Sequence, residues 1–374
     1  MAEKTAPEPT AVDAWETQDS AFCAQHRNGG LTRVDAVAAD ILRVRSSATG
    51  ALAPRRSWDP VLSDLPSASL AVRDSGEVLE LAAAALAAHL DLETGTLCFV
   101  APDGSRFAQD LAPPQRREVS LRETALEHMP EPELPPAEAR TGVFLEKRMD
   151  PEEGYFGFGQ RTGRLDRRHR RLTHWTVDRS SPGHCRGNDN MYQAHPVFMA
   201  VRPGITWGLY LRSTWYSAFD VGAEREGVLT LFTLGSELDY FVFAGPTPTA
   251  VIEQLTRLTG RPALPPLWSL GYHQSRWSYG SDAEVQAIAR GFRERRIPLD
   301  AIHLDIDYMD GFRVFTWDRT RFPDPAETIS ALHARGIRAV TIVDPGVKQE
   351  LDASYPVADS GVADGHFVRR PDGT

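Results

Sequence analysis

The chain has 374 residues, of which 41 % are hydrophobic and 25 % are charged, and its formal net charge is −10. This composition is typical of a globular protein and excludes a wholly disordered, collagen-like or coiled-coil chain. The acidic balance disfavours a nucleic-acid partner, because phosphate binding usually requires basic clusters. No apolar run approaches the ~18 residues of a membrane-spanning helix, and no apolar region follows residues 1–4 as in a secretory signal. We therefore expect a cytoplasmic protein without a membrane partner.

The three cysteines, Cys23, Cys98 and Cys185, are spaced too widely to indicate a disulfide framework or a cysteine-rich zinc site. Cys185 has His184 beside it and His195 ten residues on, but this spacing matches no common zinc motif. We predict neither a metal ion nor a cofactor. The oligomeric state stays open at this point.

The first predicted domain is a β-sandwich over residues 36–262, preceded by a poorly ordered segment over residues 1–35 that is rich in Ala, Glu, Pro and Thr. From residue 39 onwards, strand-length runs such as 206–211 and 240–243 alternate with turn residues, as in a sandwich. The Ala-rich stretch 79–90 favours a helix by propensity, an alternative that sandwich packing can override. Towards the end of this domain, apolar spacing predicts a helix over 250–258 with Val251, Ile252, Leu255 and Leu258 on one face.

The proline-rich stretch 261–266 reads as a stiff linker, and residues 263–374 then change to an alternating pattern. Apolar strands are predicted at 268–273, 300–305 and 337–343. Between them lie a helix that begins with the capping box Ser281 to Glu284 and a helix that begins at Asp324 and Pro325. Strand–helix–strand–helix–strand order indicates a parallel sheet with right-handed crossovers.

Polar side chains follow each of these three strands, where parallel-sheet enzymes carry their functional groups. The strand ends read HQSRW at 273–277, DIDYM at 305–309 and DP at 344–345. For any single Asp, capping a helix or satisfying loop amides is the simpler interpretation. Polar residues after all three neighbouring strands favour a functional site over capping alone.

The motif HLDIDYMD at 303–310, followed by FTWD at 315–318, is the most informative string in the chain. A chitinase-type barrel would carry its catalytic carboxylate at position 309, where this chain has Met309, so that interpretation fails. Read whole, the string resembles the signature of glycoside hydrolase family 31, the α-glucosidase family. Four further blocks resemble that family in order: GFGQRTGRLDRRHRR at 157–171, NMYQAHP at 190–196, the segment 268–279, and TIVDP at 341–345. Gln160 replaces the Glu that the family usually has.

The resemblance implies a mutarotase-like β-sandwich followed by a (β/α)8 TIM barrel, and retaining hydrolysis of terminal non-reducing α-glucosidic bonds. It implies an α-glucoside or oligosaccharide substrate, bound by Asp178 on a sandwich loop and by Trp277, Asp305, Ile306 and Ile342 in the barrel. The chemistry agrees, because carboxylates accept hydrogen bonds from sugar hydroxyls and aromatic rings pack on the apolar face of a sugar ring.

The resemblance places both catalytic aspartates on later barrel strands, beyond Thr374, so no catalytic residue is assigned in this chain. A retaining glycosidase needs two carboxyl groups about 5–5.5 Å apart. Asp305 and Asp307 lie only two residues apart at one strand end. We therefore do not expect their carboxyl groups to face each other as this mechanism requires. We expect the chain to be the N-terminal part of a longer enzyme, with about three barrel strands. A non-catalytic carbohydrate-binding protein, a sandwich module that serves assembly only, and an α-xylosidase of the same family remain alternatives.

The basic run between Arg161 and Arg171 contains six arginines, but it also contains Asp166 and lies inside a family block. We therefore interpret it as structural rather than as a nucleic-acid surface. The glycines at 157, 159 and 163 lack the spacing of a phosphate-binding loop.

Overall fold

The computed structural model describes residues 11–18, 20–52, 68–119, 141–176, 192–350, 354–370 and 372–373. The chain divides into two compact units, Met1–Arg261 and Pro262–Thr374. In the described part of the chain, no helix combines the length and the apolar character needed to cross a bilayer.

The first unit is built almost entirely from antiparallel strands. They are β1 (Val12–Gln18), β2 (Ala21–His26), β3 (Leu31–Ala38), β4 (Ile41–Ser47), β5 (Ala71–Asp74), β6 (Val78–Ala82), β7 (Ala87–Asp91), β8 (Leu97–Val100), β9 (Arg106–Phe107), β10 (Gln115–Glu118), β11 (Thr141–Arg148), β12 (Gly154–Gly157), β13 (Arg170–His174), β14 (Val197–Arg202), β15 (Ile205–Leu211), β16 (Ser217–Val221), β17 (Val228–Thr233) and β18 (Leu238–Gly245).

These strands form three sheets around one core. The largest has the order β1-β2-β3-β4-β18-β15-β14-β12, and two five-stranded sheets have the orders β10-β11-β17-β16-β13 and β5-β6-β7-β8-β9. Side chains from all three sheets meet around Trp207, which is fully buried. Its ring centroid lies 5.3 Å from Phe198 and 5.7 Å from Phe107. The sandwich expected from the sequence is therefore held by a shared aromatic centre.

Residues 12–35 differ from the expected poorly ordered segment. They form β1, β2 and most of β3, and Phe22, Ala24 and Val34 are fully buried. Burial alternates along β3, so every second residue faces the core. Small alanines carry much of this alternation, which is why the apolar pattern looked weak in the sequence.

The Ala-rich stretch 79–90 lies in a hairpin of β6 and β7 rather than in a helix. Leu79, Leu81, Ala88 and Leu90 are buried, each separated from the next in its strand by one less buried residue. This period of two matches a sheet that is buried on one face, so packing overrides the helical propensity of alanine.

A buried ion pair lies inside the sandwich. Lys147 Nζ is 2.6 Å from Asp110 Oδ1 and donates to the carbonyl oxygen of Ala108 at 3.1 Å. The rings of Phe99 and Tyr240 lie 5.2 Å from the same ammonium. Lys147 is fully buried, so its charge is compensated by one carboxylate, one carbonyl and two aromatic faces.

One long helix, α1 (Pro248–Thr259), closes the first unit. Thr247 caps it by accepting from the backbone N–H of Ala250 at 3.3 Å. Val251, Gln254 and Leu258 are its buried residues, whereas Ile252 is 46 % exposed. The helix predicted at 250–258 is present, but the inclusion of Ile252 in its buried face was wrong because that residue lies about 100° around the axis from Val251.

The second unit contains a parallel three-stranded sheet with helices. Its strands are β19 (His273–Gln274), β20 (Ala301–Leu304) and β21 (Arg338–Thr341), in the order β19-β20-β21, and its helices are α2 (Asp282–Glu294), α3 (Pro325–His333) and α4 (Pro356–Ala363). Short 3₁₀ helices span Leu267–Leu270, Ile306–Tyr308 and Asp310–Phe312. The predicted βαβ order is present, and the sheet is open on both edges within the described residues.

The helix caps follow the sequence signals. Ser281 Oγ accepts from the backbone N–H of Glu284 at 3.3 Å, and the Asp324 side chain accepts from Glu327 N at 3.0 Å. Glu284 itself accepts from the N–H of Gly280 at 2.7 Å, one residue before the Ser281 amide that a standard capping box would use.

The first barrel strand is shorter than predicted. Residues 267–270 form a 3₁₀ turn, and only His273 and Gln274 pair with β20. The Trp268 indole stacks on the His273 ring with centroids 5.9 Å apart, and the Trp268 carbonyl lies 3.3 Å from His273 Nε2. These contacts fold the apolar run back on itself and leave little of it for the sheet.

Candidate functional site

The carboxyl ends of the three parallel strands in the second unit form the candidate site. Ile302 and Leu304 of β20 pack into the hydrophobic cluster with the helices. Side chains alternate along an extended strand, so His303 and Asp305 project from the opposite face of the sheet. Asp305 keeps an extended backbone, with φ −80° and ψ −177°, and therefore continues this alternation past the end of the strand.

Asp305 caps the 3₁₀ turn that follows it and still has carboxylate capacity left. Its Oδ1 accepts from the backbone N–H of Ile306 at 2.8 Å. Of the residues that the structure describes, no other donates to this carboxylate. The capping interpretation and the site interpretation are therefore both compatible with Asp305, because one cap bond leaves lone pairs for a ligand.

Asp307 has a different environment, although it lies only two residues away. Its Oδ1 is 3.3 Å from Arg321 Nη1, which also lies near the Asp307 carbonyl. Arg321 Nε is in turn 3.4 Å from Asp318. Asp307 thus belongs to an ion-pair network that holds the loop.

Tyr308 connects the ends of β20 and β21, a role that the sequence analysis did not assign. Its hydroxyl donates to the carbonyl oxygen of Ile342 at 2.8 Å, and its backbone N–H donates to the Asp305 carbonyl at 3.3 Å. Burial, and to a smaller extent the negative charge of Asp344, raise the pKa of Tyr308, so this hydroxyl stays protonated as a donor. The sequence feature that could have indicated this role is a tyrosine one helical turn after an aspartate at the end of a strand.

The structure brings Asp305, Ile306 and Ile342 together through these bonds. The N–H of Ile342 also donates to the Leu304 carbonyl at 3.0 Å, which extends the pairing of the two strands to the site. Ile306 packs partly against the hydrophobic cluster, whereas Ile342 is 41 % exposed. The site therefore places the Asp305 carboxylate beside apolar side chains.

Trp277 lies three residues after the end of β19 and is 80 % exposed. Its loop starts at Gln274, whose Oε1 accepts from Tyr272 Oη at 2.7 Å and whose Nε2 donates to Tyr279 Oη at 2.9 Å. These bonds hold the strand end and leave the indole free to contact a ligand. Asp178, His184 and Cys185 lie outside the described residues.

Two histidines share the face of the sheet that carries Asp305. His273 Nδ1 and His303 Nε2 are 3.0 Å apart, so one of them donates to the other. Burial and the neighbouring His273 lower the pKa of His303, which favours a neutral His303 imidazole. Across the described ranges, no group of three or more His, Cys, Asp or Glu side chains is arranged to hold a metal ion.

The arginine-rich run on the first unit bonds to its own domain. Arg161 donates to the carbonyls of Phe158, at 2.7 Å, and of Thr173. Arg168 donates to the Asp150 and Glu153 carbonyls at 2.9 and 2.8 Å. These bonds support the structural interpretation of the run.

Comparison with known proteins gives the same two-domain organisation. Residues 31–220 match the domain described as the glycosyl hydrolase 31 N-terminal galactose mutarotase-like domain, and residues 262–374 match the glycosyl hydrolases family 31 TIM-barrel domain. The expected order of a mutarotase-like sandwich and the first part of a TIM barrel is thereby confirmed.

Curated relatives cover part of the chain at substantial identity. Alpha-glucosidase 2 of Bacillus thermoamyloliquefaciens is 46 % identical over 227 residues, which is 61 % of this chain and 28 % of the relative. An alpha-glucosidase of Saccharolobus solfataricus is 33 % identical over 220 residues, which is 59 % of this chain and 31 % of the relative. The matched region thus spans less than a third of the length of either relative.

Solved structures share the fold. A Flavobacterium johnsoniae GH31 dextranase aligns with a TM-score of 0.82 at 20 % identity, covering 98 % of this chain and 44 % of the dextranase. The glucosidase II alpha subunit aligns with a TM-score of 0.78 at 20 % identity, covering 100 % of this chain and 47 % of that subunit. Together with the domain matches, these similarities show that the chain belongs to glycoside hydrolase family 31.

Proposed function

We propose that this chain is the sugar-binding front part of a retaining α-glucosidase that releases terminal non-reducing glucose. The main support is the Asp305 carboxylate at the carboxyl end of β20, which has capacity for ligand hydroxyls and lies beside Ile306 and Ile342. The second support is the 46 % identity to a Bacillus enzyme named as an alpha-glucosidase.

In this proposal each residue has one role. Asp305 accepts hydrogen bonds from two neighbouring hydroxyls of the terminal glucose, because an ionised carboxylate has two oxygens and no donor. The exposed Trp277 indole packs on the apolar face of the ring. Ile306 and Ile342 form an apolar wall, and Asp178 supplies a further acceptor.

The bond-breaking groups are proposed to come from barrel segments that are not part of these 374 residues. A retaining mechanism needs a carboxylate nucleophile and a carboxyl acid/base about 5–5.5 Å apart. At the described strand ends, Asp307 is paired with Arg321 and Asp305 caps its own turn. This arrangement also favours a second candidate for the chain by itself, a non-catalytic carbohydrate-binding protein.

The test compares the 374-residue chain with a form extended at its C-terminus to the length of the curated relatives. We expect the extended form to hydrolyse p-nitrophenyl α-glucoside faster than the α-xyloside, and the 374-residue chain to hydrolyse neither. Asp305→Asn in the extended form should lower kcat/KM about 100-fold, since a hydrogen bond to a charged group contributes about 1.5–3 kcal/mol. Turnover by the short chain would contradict the placement of the catalytic groups.

A further inference from the structure

The turn between β2 and β3 carries a chemically labile pair of residues. It reads RNGG at 27–30, so that Asn28 is followed directly by a glycine. The chain has only three asparagines, Asn28, Asn188 and Asn190, and only the first of them precedes a glycine. Asparagine is a thermolabile residue, and a following glycine exposes it further because no Cβ shields the next backbone nitrogen. This turn is therefore a candidate site of covalent change.

The backbone nitrogen that would attack the Asn28 side chain belongs to Gly29, at the tip of the turn. Gly29 has a φ of +83°, and a Cβ built on it would meet no atom within 4 Å. Its N–H donates to the carbonyl of His26 at 2.8 Å, and this bond must open before the nitrogen can attack. Asn28 and Gly29 are both exposed, so the opening is local and needs no separation of the core.

The side-chain carbonyl that would be attacked is already polarised by the turn. Asn28 Oδ1 accepts from the backbone N–H of Gly30 at 2.9 Å. Attack at Cγ moves negative charge onto this oxygen, so a donor that is fixed on it stabilises the tetrahedral intermediate. Among the described residues, none bonds to Asn28 Nδ2, the leaving nitrogen. The turn thus supplies a donor for the developing oxyanion and does not hold the leaving group.

We propose that Asn28 is a site of spontaneous modification, in which its side chain cyclises onto the Gly29 nitrogen and water then opens the ring. In the first step the bond from Gly29 N to Asn28 Cγ forms, the Gly29 nitrogen loses its proton, and the Cγ–Nδ2 bond breaks to release ammonia. In the second step water adds to either carbonyl of the cyclic imide. The products are aspartate and isoaspartate, and no atom is oxidised or reduced. This inference does not depend on the proposed function.

The two products differ in their effect on the fold. Aspartate keeps the bond from the Gly30 N–H, because a carboxylate oxygen accepts as the amide oxygen does. Isoaspartate inserts one methylene into the main chain of a turn that is closed by a bond from His26 N to Gly30 O at 2.9 Å. The strands that this turn joins carry the fully buried Phe22 and Val34, and turn geometry sets their register. We therefore expect isoaspartate, but not aspartate, to lower the stability of the sandwich.

The test incubates the full 374-residue chain in mildly alkaline buffer and follows it by anion exchange, intact mass and peptide mapping. We expect one added negative charge per chain, located at residue 28. It should accumulate faster at higher pH, because only the deprotonated Gly29 nitrogen attacks. An isoaspartate-specific methyltransferase should label the aged chain and not the fresh one. In urea, the isolated isoaspartate form should unfold at a lower midpoint than the variant Asn28→Asp.

Asn28→Gln is the matched control, since it keeps a side-chain amide and both turn glycines but must close a larger ring. That variant should gain no charge at residue 28 during the same incubation. A short peptide that covers the turn measures the reactivity of the sequence without the fold. Absence of a charge gain at residue 28 in the folded chain, whether or not the peptide reacts, overturns the proposal. A charge gain that Asn28→Gln leaves unchanged also overturns it, and equal urea midpoints overturn the expected effect on the fold.

Discussion

The hydroxyl of Tyr308 donates a 2.8 Å hydrogen bond to the carbonyl of Ile342 and so ties the ends of two adjacent parallel strands. The same tyrosine is bonded through its backbone to Asp305. The carboxylate and the apolar wall of the candidate site therefore depend on one buried side chain for their relative position.

Tyr308→Phe should lower the free energy of unfolding by about 1–3 kcal/mol, because it leaves the Ile342 carbonyl without this donor. Urea denaturation of the 374-residue chain measures the change. In the extended form, we also expect KM for the α-glucoside to rise. An unchanged KM together with reduced stability would show that the bond supports the fold without positioning the site.

Asp305 and Asp307 form a matched pair for substitution. Asp305→Asn should weaken saccharide binding at the strand ends strongly and change stability little, since only one cap bond is altered. Asp307→Asn should change stability by no more than about 1 kcal/mol, because its partner Arg321 is 46 % exposed, and should leave the affinity nearly unchanged. Titration with maltose and urea denaturation of both variants provide the comparison, and equal losses of affinity would contradict the assignment.

Lys147→Met should destabilise the sandwich by about 3–5 kcal/mol, because it leaves the Asp110 carboxylate buried without its counter-charge. Adding Asp110→Asn should recover a large part of that loss. The control is Arg225→Met, which removes a partly exposed ion pair with Glu146 and should cost no more than about 1 kcal/mol. Chemical denaturation distinguishes the three variants; similar losses for Lys147→Met and Arg225→Met would contradict the role of the buried pair.

The buried His174 predicts a dependence of stability on pH. Its pKa in the folded state is lowered well below 6.5, so the unfolded chain binds a proton first as the pH falls. The corresponding stabilisation is complete above about pH 6.5 and is lost as the pH decreases below that value. Between about pH 7.5 and pH 5.5, the unaltered chain should lose about 1.4 kcal/mol more than His174→Gln.

Urea denaturation of both proteins at the two pH values measures this difference. Lowered pKa values of His89 and His303 act in the same direction, but they are present in both proteins and cancel in the comparison. Equal losses in the two proteins would contradict a neutral, buried His174.

Local sequence signals predicted the features that depend on near neighbours. The sequence predicted the caps at Ser281 and Asp324, the helix around Val251 and the βαβ order. Each of these features depends on residues within one or two turns. Asp305 was found because a polar residue directly after an apolar strand is a local pattern.

The sequence did not predict the features that depend on contacts between residues far apart in the chain. Nothing near Asp307 indicates that Arg321, fourteen residues away, neutralises it while Asp305 has no cation partner among the described residues. The strand of residues 78–82 was ambiguous because alanine propensity and core packing favour different structures, and only the partner strands decide between them.

Because Lys147 is buried, its chemical modification can be used to measure how often the sandwich opens. Lysine occurs at only three positions, Lys4, Lys147 and Lys348, and the second of these has no surface accessible to solvent. An amine-acylating reagent can reach Lys147 only when the sandwich separates around it. The mass of a single peptide therefore records how often the interior becomes accessible, without any added label or substitution.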